Sequence, residues 1–119
     1  MNGGAGRDVL IGGDGADDFV YSLASDSGAT GATRDQINGF VSGQDDIVLR
    51  NMDADVTDPA LDAFIWRGTA GFSGVAGQLR WSATAAGVVV QADLDGDRDA
   101  DFSLLLAGIN SVLRADFLL

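Results

Sequence analysis

Four residue types are absent from this 119-residue chain: glutamate, lysine, histidine and cysteine. Without cysteine there are no disulfides and no thiolate ligands, and without histidine the usual donor sets for zinc, copper and iron are gone as well. Hard, oxygen-preferring cations remain as the metals such a chain can hold. All 18 acidic residues are Asp and all 7 basic ones Arg, which leaves a formal net charge of -11. No basic cluster offsets that charge, so phosphate backbones and anionic membrane surfaces are repelled, and nucleic acid is set aside as a partner. No apolar run approaches the roughly eighteen residues of a membrane-spanning helix, so membrane insertion is not expected. The first residues lack the basic, apolar and small-residue pattern of a secretory leader. A chain that opens inside a repeat reads as the tail of a longer protein. Its 46% apolar content suffices for the core of one domain.

Glycine, by contrast, is abundant, with 17 residues. The stretch GGAGRDVLIGGDGADDF, residues 3–19, holds two copies of a nonapeptide GGxGxDxUx, where U is a large apolar residue. Gly3, Gly4, Gly6, Asp8 and Leu10 fill the first copy; Gly12, Gly13, Gly15, Asp17 and Phe19 fill the second. Glycines permit the positive φ angles that turn backbone carbonyls inward, and the short Asp side chain adds a carboxylate. Calcium takes about six to eight oxygens, which two stacked turns of this kind can supply. The apolar residue after each turn starts a short strand pointing into the coil. The pattern resembles the RTX calcium-binding repeat, whose stacked copies form a parallel β-roll.

In such a roll two nonapeptides make one coil, so turns sharing an ion lie eighteen residues apart, which pairs Asp8 with Asp26 and Asp17 with Asp35. The register YSLASDSGA keeps only its Asp, whereas TGATRDQIN keeps Gly31, Asp35 and Ile37. A fifth register puts Gln44 where an acid belongs. The expected calcium ligands are therefore Gly4, Gly6, Asp8, Gly13, Gly15, Asp17, Asp26 and Asp35. An ordinary surface loop over residues 22–35 is the alternative.

The remainder reads as antiparallel β. DDIVLR (45–50), AFIWR (63–67), QLRWSAT (78–84), GVVVQAD (87–93), DFSLLLAG (101–108) and the terminal DFLL are short apolar or alternating runs divided by Gly, Asp and Ser. Residues 58–64 offer one helical turn with Asp58 as cap and Pro59 just inside. The expected fold is all-β: a β-roll stub over residues 1–38 passing into a small antiparallel β-sandwich cap over 39–119. Phe40, Ile47, Leu49, Phe64, Ile65, Trp66, Phe72, Leu79, Trp81, Val89, Phe102, Leu104 and Leu106 are its expected core.

DQINGFVSGQDDIVL (35–49), FSGVAGQL (72–79), DLDGDRDADFSLLLAG (93–108) and ADFLL at the end resemble, in the same order, the C-terminal domain of serralysin-type secreted metalloproteases; tails of alginate epimerases are similar. The resemblance implies a calcium-binding, extracellular module that folds on calcium. Its implied partners are an upstream domain and a type I secretion machine, which would read Asp116, Phe117, Leu118 and Leu119 as a signal. The catalytic machinery of such a protease is not here, since the chain has no HExxH and no His.

Two further features bear on function. Asp93, Asp95, Asp97 and Asp99 alternate with Asp101 like the early ligands of an EF-hand loop, but Arg98 stands where that loop needs Gly and Leu104 where it needs Glu. They read as the turn of a hairpin around Asp95 and Gly96, with a cation site on the same carboxylates as the alternative. Catalysis would need an Asp pair in apolar surroundings, and the acids here fall in open Gly-rich turns, so no enzymatic activity is expected. Calcium-dependent polysaccharide binding through Tyr21 or an exposed Trp is the alternative function that the epimerase likeness implies.

Overall fold

The computed structural model describes residues 8–13, 15–21, 27–28, 34–50, 52 and 64–119. Its architecture is all-β. Among the described residues, nine strands lie in two sheets: β1 (Val9–Ile11), β2 (Asp18–Val20), β3 (Asp35–Asn38), β4 (Asp46–Val48), β5 (Ile65–Gly68), β6 (Gln78–Ala83), β7 (Gly87–Asp93), β8 (Phe102–Ala107) and β9 (Phe117–Leu118). The larger sheet runs β1-β3-β8-β7-β6-β5 and the smaller β2-β4-β9. No helix among the described residues is long and apolar enough to cross a membrane.

The strands at the roll end are three or four residues long because Gly and Asp close each run after one apolar residue has turned inward. They are arranged as three stacked coils. Each coil sends its first strand to the large sheet (β1, β3, β8) and its second to the small one (β2, β4, β9), all paired in parallel. The inward positions form continuous columns, with Leu10 over Ile37 over Leu106 on one side and Phe19 over Ile47 over Phe117 on the other. All except the half-buried Leu10 are buried, as the apolar position of the nonapeptide leads one to expect. Burying one such side chain contributes roughly 1.5–3 kcal/mol, so these columns are what holds such short strands together.

Antiparallel pairing holds only for β6-β7-β8; β5 meets β6 in parallel, as do all the roll strands. The expectation of an antiparallel remainder is corrected there. The third coil comes from the far end of the chain, so β8 and β9 return to continue the roll instead of forming a separate layer. Two of the expected core positions also change. Ile65 is half exposed, and its neighbour Trp66 points inward with its ring 5.0 Å from that of Phe117. Phe72 is only partly covered and lies beneath the Arg80 guanidinium. The helical turn expected at 58–64 falls, but for Phe64, outside the described residues.

Candidate metal centres in the turns

The turn between β1 and β2 is shaped by glycine. Gly13 and Gly15 have φ of 77° and 86°, values that side chains strongly disfavour. At Gly12 a Cβ would stand 2.7 Å from Asp17 Oδ2, so only glycine leaves room for that carboxylate. Among the described residues, two buried side-chain oxygens accept no hydrogen bond: Asp8 Oδ2 and Asp17 Oδ2. A buried carboxylate oxygen without a donor is costly unless a cation supplies the missing partner. These two aspartates open β1 and β2, the edge strands of the two sheets.

The next layer treats the same residue type differently. Asp35 is buried, with Oδ1 accepting the Asp8 N–H at 2.8 Å and Oδ2 the Tyr21 hydroxyl at 3.0 Å. Asp45 is buried too, taking the Asp17 N–H on Oδ1 and the Val41 N–H on Oδ2, both at 2.9 Å. Asp35 thus stacks beneath Asp8 and Asp45 beneath Asp17, which corrects the expected eighteen-residue pairing of Asp17 with Asp35. The offset is 27 residues on one edge and 28 on the other, because the return between β2 and β3 carries an additional nonapeptide and the following turn one residue more. That single residue moves the acid from the expected position 44 to Asp45. Gly4, Gly6 and Asp26, also expected as ligands, lie outside the described residues.

At the tip of the β7-β8 hairpin, Asp93, Asp95, Asp97 and Asp101 bring carboxylate oxygens within 4.8 Å of one another. Asp99 is not part of this group. Asp93 organises the loop: Oδ1 accepts the Gly96 N–H and Oδ2 the Arg98 N–H, both at 2.9 Å. Arg98 adopts φ of 70°, the conformation that favours glycine at this place, and its guanidinium bonds the Ser73 carbonyl. Desolvation, the side-chain hydrogen bond with Asp97, and the charges of Asp101 and Asp97 raise the Asp95 carboxyl from 3.8 to about 6, against a backbone hydrogen bond from Asp97 that lowers it. Asp95 is exposed, so crowding by like charges is the part of this shift that bears on the loop.

The terminal residues are built into the fold. Asp116 is 1% exposed and accepts hydrogen bonds from the Gly43 and Leu113 N–H groups and the Ser42 hydroxyl. Phe117 is buried, while Leu118 and Leu119 are half-buried. Tyr21 is wholly buried, edge-on to Phe102, and therefore cannot serve as the sugar platform considered for it. Trp66 and Trp81 pack against the core.

A family model described as Peptidase M10 serralysin C terminal matches residues 1–119. No curated protein matches the chain.

Proposed function

The chain belongs to the serralysin C-terminal family of the M10 peptidases, and we propose that it is the non-catalytic, calcium-binding module of a secreted protein, one that folds on calcium outside the cell. The observation that carries this reading is the pair of buried, unpartnered oxygens on Asp8 and Asp17, the second of which has room only because residue 12 is glycine. Oxygen donors of this hardness suit calcium, whose charge would offset the two carboxylates and order a glycine-rich backbone that is entropically expensive to fold. Gly13 and Gly15 shape the turn; Gly4, Gly6 and Asp26 belong to the same proposed set, and Asp35 supports it through the Asp8 amide. A second cation site is proposed at Asp93, Asp95, Asp97 and Asp101, where mutual repulsion of close carboxylates favours a counter-charge.

Export fits the same chemistry. In a low-calcium cytosol the acidic turns of the first coil repel one another and stay open, which eases unfolding of the chain for passage through a type I exporter. Outside, calcium at levels near the roughly 10⁻⁴ to 10⁻³ M dissociation constants of extracellular modules adds its binding energy to folding. Asp116 to Leu119 form the proposed export signal, and an upstream domain carries the parent's activity.

The test is a calcium titration followed by circular dichroism and calorimetry, with magnesium as control. A calcium-selective gain in β-structure and measurable heat is expected. A chain fully folded in chelator and thermally silent toward calcium would overturn the proposal. For export, a passenger fused to this chain should reach the medium, and should fail to do so without residues 116–119.

A further inference from the structure

Among the aspartates at the mouths of roll strands are Asp8 and Asp17 in the first coil, Asp35 and Asp45 in the second, and Asp116 in the third. They divide sharply by what their oxygens touch. Asp35, Asp45 and Asp116 are 0–1% exposed, and both oxygens of each face a donor hydrogen. At least one of those donors comes from the preceding coil: the Asp8 amide for Asp35, the Asp17 amide for Asp45, and Gly43 with Ser42 for Asp116. Asp8 and Asp17, with no described strand beyond theirs, each keep a buried oxygen without a donor.

We propose that Asp35, Asp45 and Asp116 are clamps that do in the second and third coils what ions do in the first, so that the molecule is a metal-independent base carrying a metal-dependent top. A hydrogen that points at a carboxylate oxygen repels a cation approaching the same oxygen, and a buried carboxylate already paired to amide dipoles needs no counter-ion to offset its desolvation. Serine extends the same device on the large-sheet edge, where Asp35 stands. Ser27 accepts the Asp35 N–H at 2.8 Å and donates to the Ser103 carbonyl in β8, which ties the second coil to the third without a cation. One apolar column thickens in the same direction, from half-buried Leu10 to fully buried Ile37 and Leu106, while Phe19, Ile47 and Phe117 are buried alike. The top relies on the calcium reading proposed above; the base does not.

Amide hydrogen exchange on the whole chain, in chelator and in millimolar calcium, tests both parts. In chelator, amides of β4, β7 and β8 should exchange at least about a hundredfold more slowly than those of β1 and β2, and calcium should slow β1 and β2 alone. Base and top exchanging as one unit in chelator, and gaining protection together with calcium, would overturn the proposal. Asp45→Asn and Asp116→Asn keep the shape but weaken the clamp. Each should speed base exchange equally with and without calcium, and Asp116→Asn, whose partners are positions 42, 43 and 113, should leave the calcium dissociation constant within about twofold, while Asp17→Asn raises it about tenfold or more. A tenfold loss of calcium affinity in Asp116→Asn would make it a ligand and overturn the proposal. Calcium failing to slow β1 and β2 would sink the calcium reading of the top, while the chelator data still decide the base.

Discussion

The turn that holds Asp17 and the turn that holds Asp45 are built from the same materials, glycine at positive φ and an aspartate just before a strand, and they lie one above the other. Yet Asp17 keeps an oxygen with no donor, whereas Asp45 has both oxygens engaged. The difference is positional. A carboxylate in this fold is satisfied by amides of the layer before it and its own turn, and the first described layer has no such predecessor. An aspartate in a glycine-rich turn is therefore a ligand or a clamp according to its neighbours in space, and the residue type alone does not decide.

Removing a clamp should have the largest effect. Asp116→Ala leaves two amides and a hydroxyl without their shared acceptor, so urea unfolding should show a loss on the order of 3–5 kcal/mol, equal in calcium and in chelator. A loss seen only in calcium would erase the distinction between the layers. Asp17→Ala should cost about 1.5–3 kcal/mol in saturating calcium, the linkage energy of the ion, and nothing in chelator, where deleting an unpaired buried oxygen is neutral or stabilising. Tyr21→Phe removes one hydrogen bond to the Asp35 carboxylate while keeping the ring against Phe102, and should cost about 1–2 kcal/mol in either condition.

The smallest effect concerns the hairpin loop. Asp95 titrates near 6 in the folded protein against 3.8 ordinarily, so the folded state holds its proton more tightly. Its contribution to stability is complete below about pH 4 and is lost as the pH rises through about 6. In chelator, amides of residues 95–99 should therefore exchange faster at pH 7 than at pH 4 once intrinsic rates are corrected. Asp95→Asn should flatten that dependence, and calcium should remove it.

Much of this was legible in the residues. The strands at 78–83, 87–93 and 102–107 match their runs to within about two residues, because β-branched and aromatic clusters bounded by Gly and Asp leave few other choices. The repeat likewise announced the turn and its glycines. Pairing was harder, since a parallel partner 27 residues away leaves no local mark, and one inserted residue hid Asp45 behind Gln44. The even spacing of the hairpin acids reads as a turn, with a cation site on all of them as the alternative. Positive φ at Gly96 and Arg98 breaks the strand there and separates Asp99 from the other four. Asp116 showed only its place in the tail; three donors from positions 42, 43 and 113 come together in space alone.

The strand that completes the small sheet consists of residues 117 and 118, and it covers a column begun at residue 19. A polypeptide emerges from its N-terminal side, so every other strand of this fold is made before the one that closes it. Until Phe117 appears, Ile47 lacks its partner below and Trp66 lacks the ring it lies against. The chain carries its own timer: the small sheet stays open on this side until residues 117 and 118 have been made.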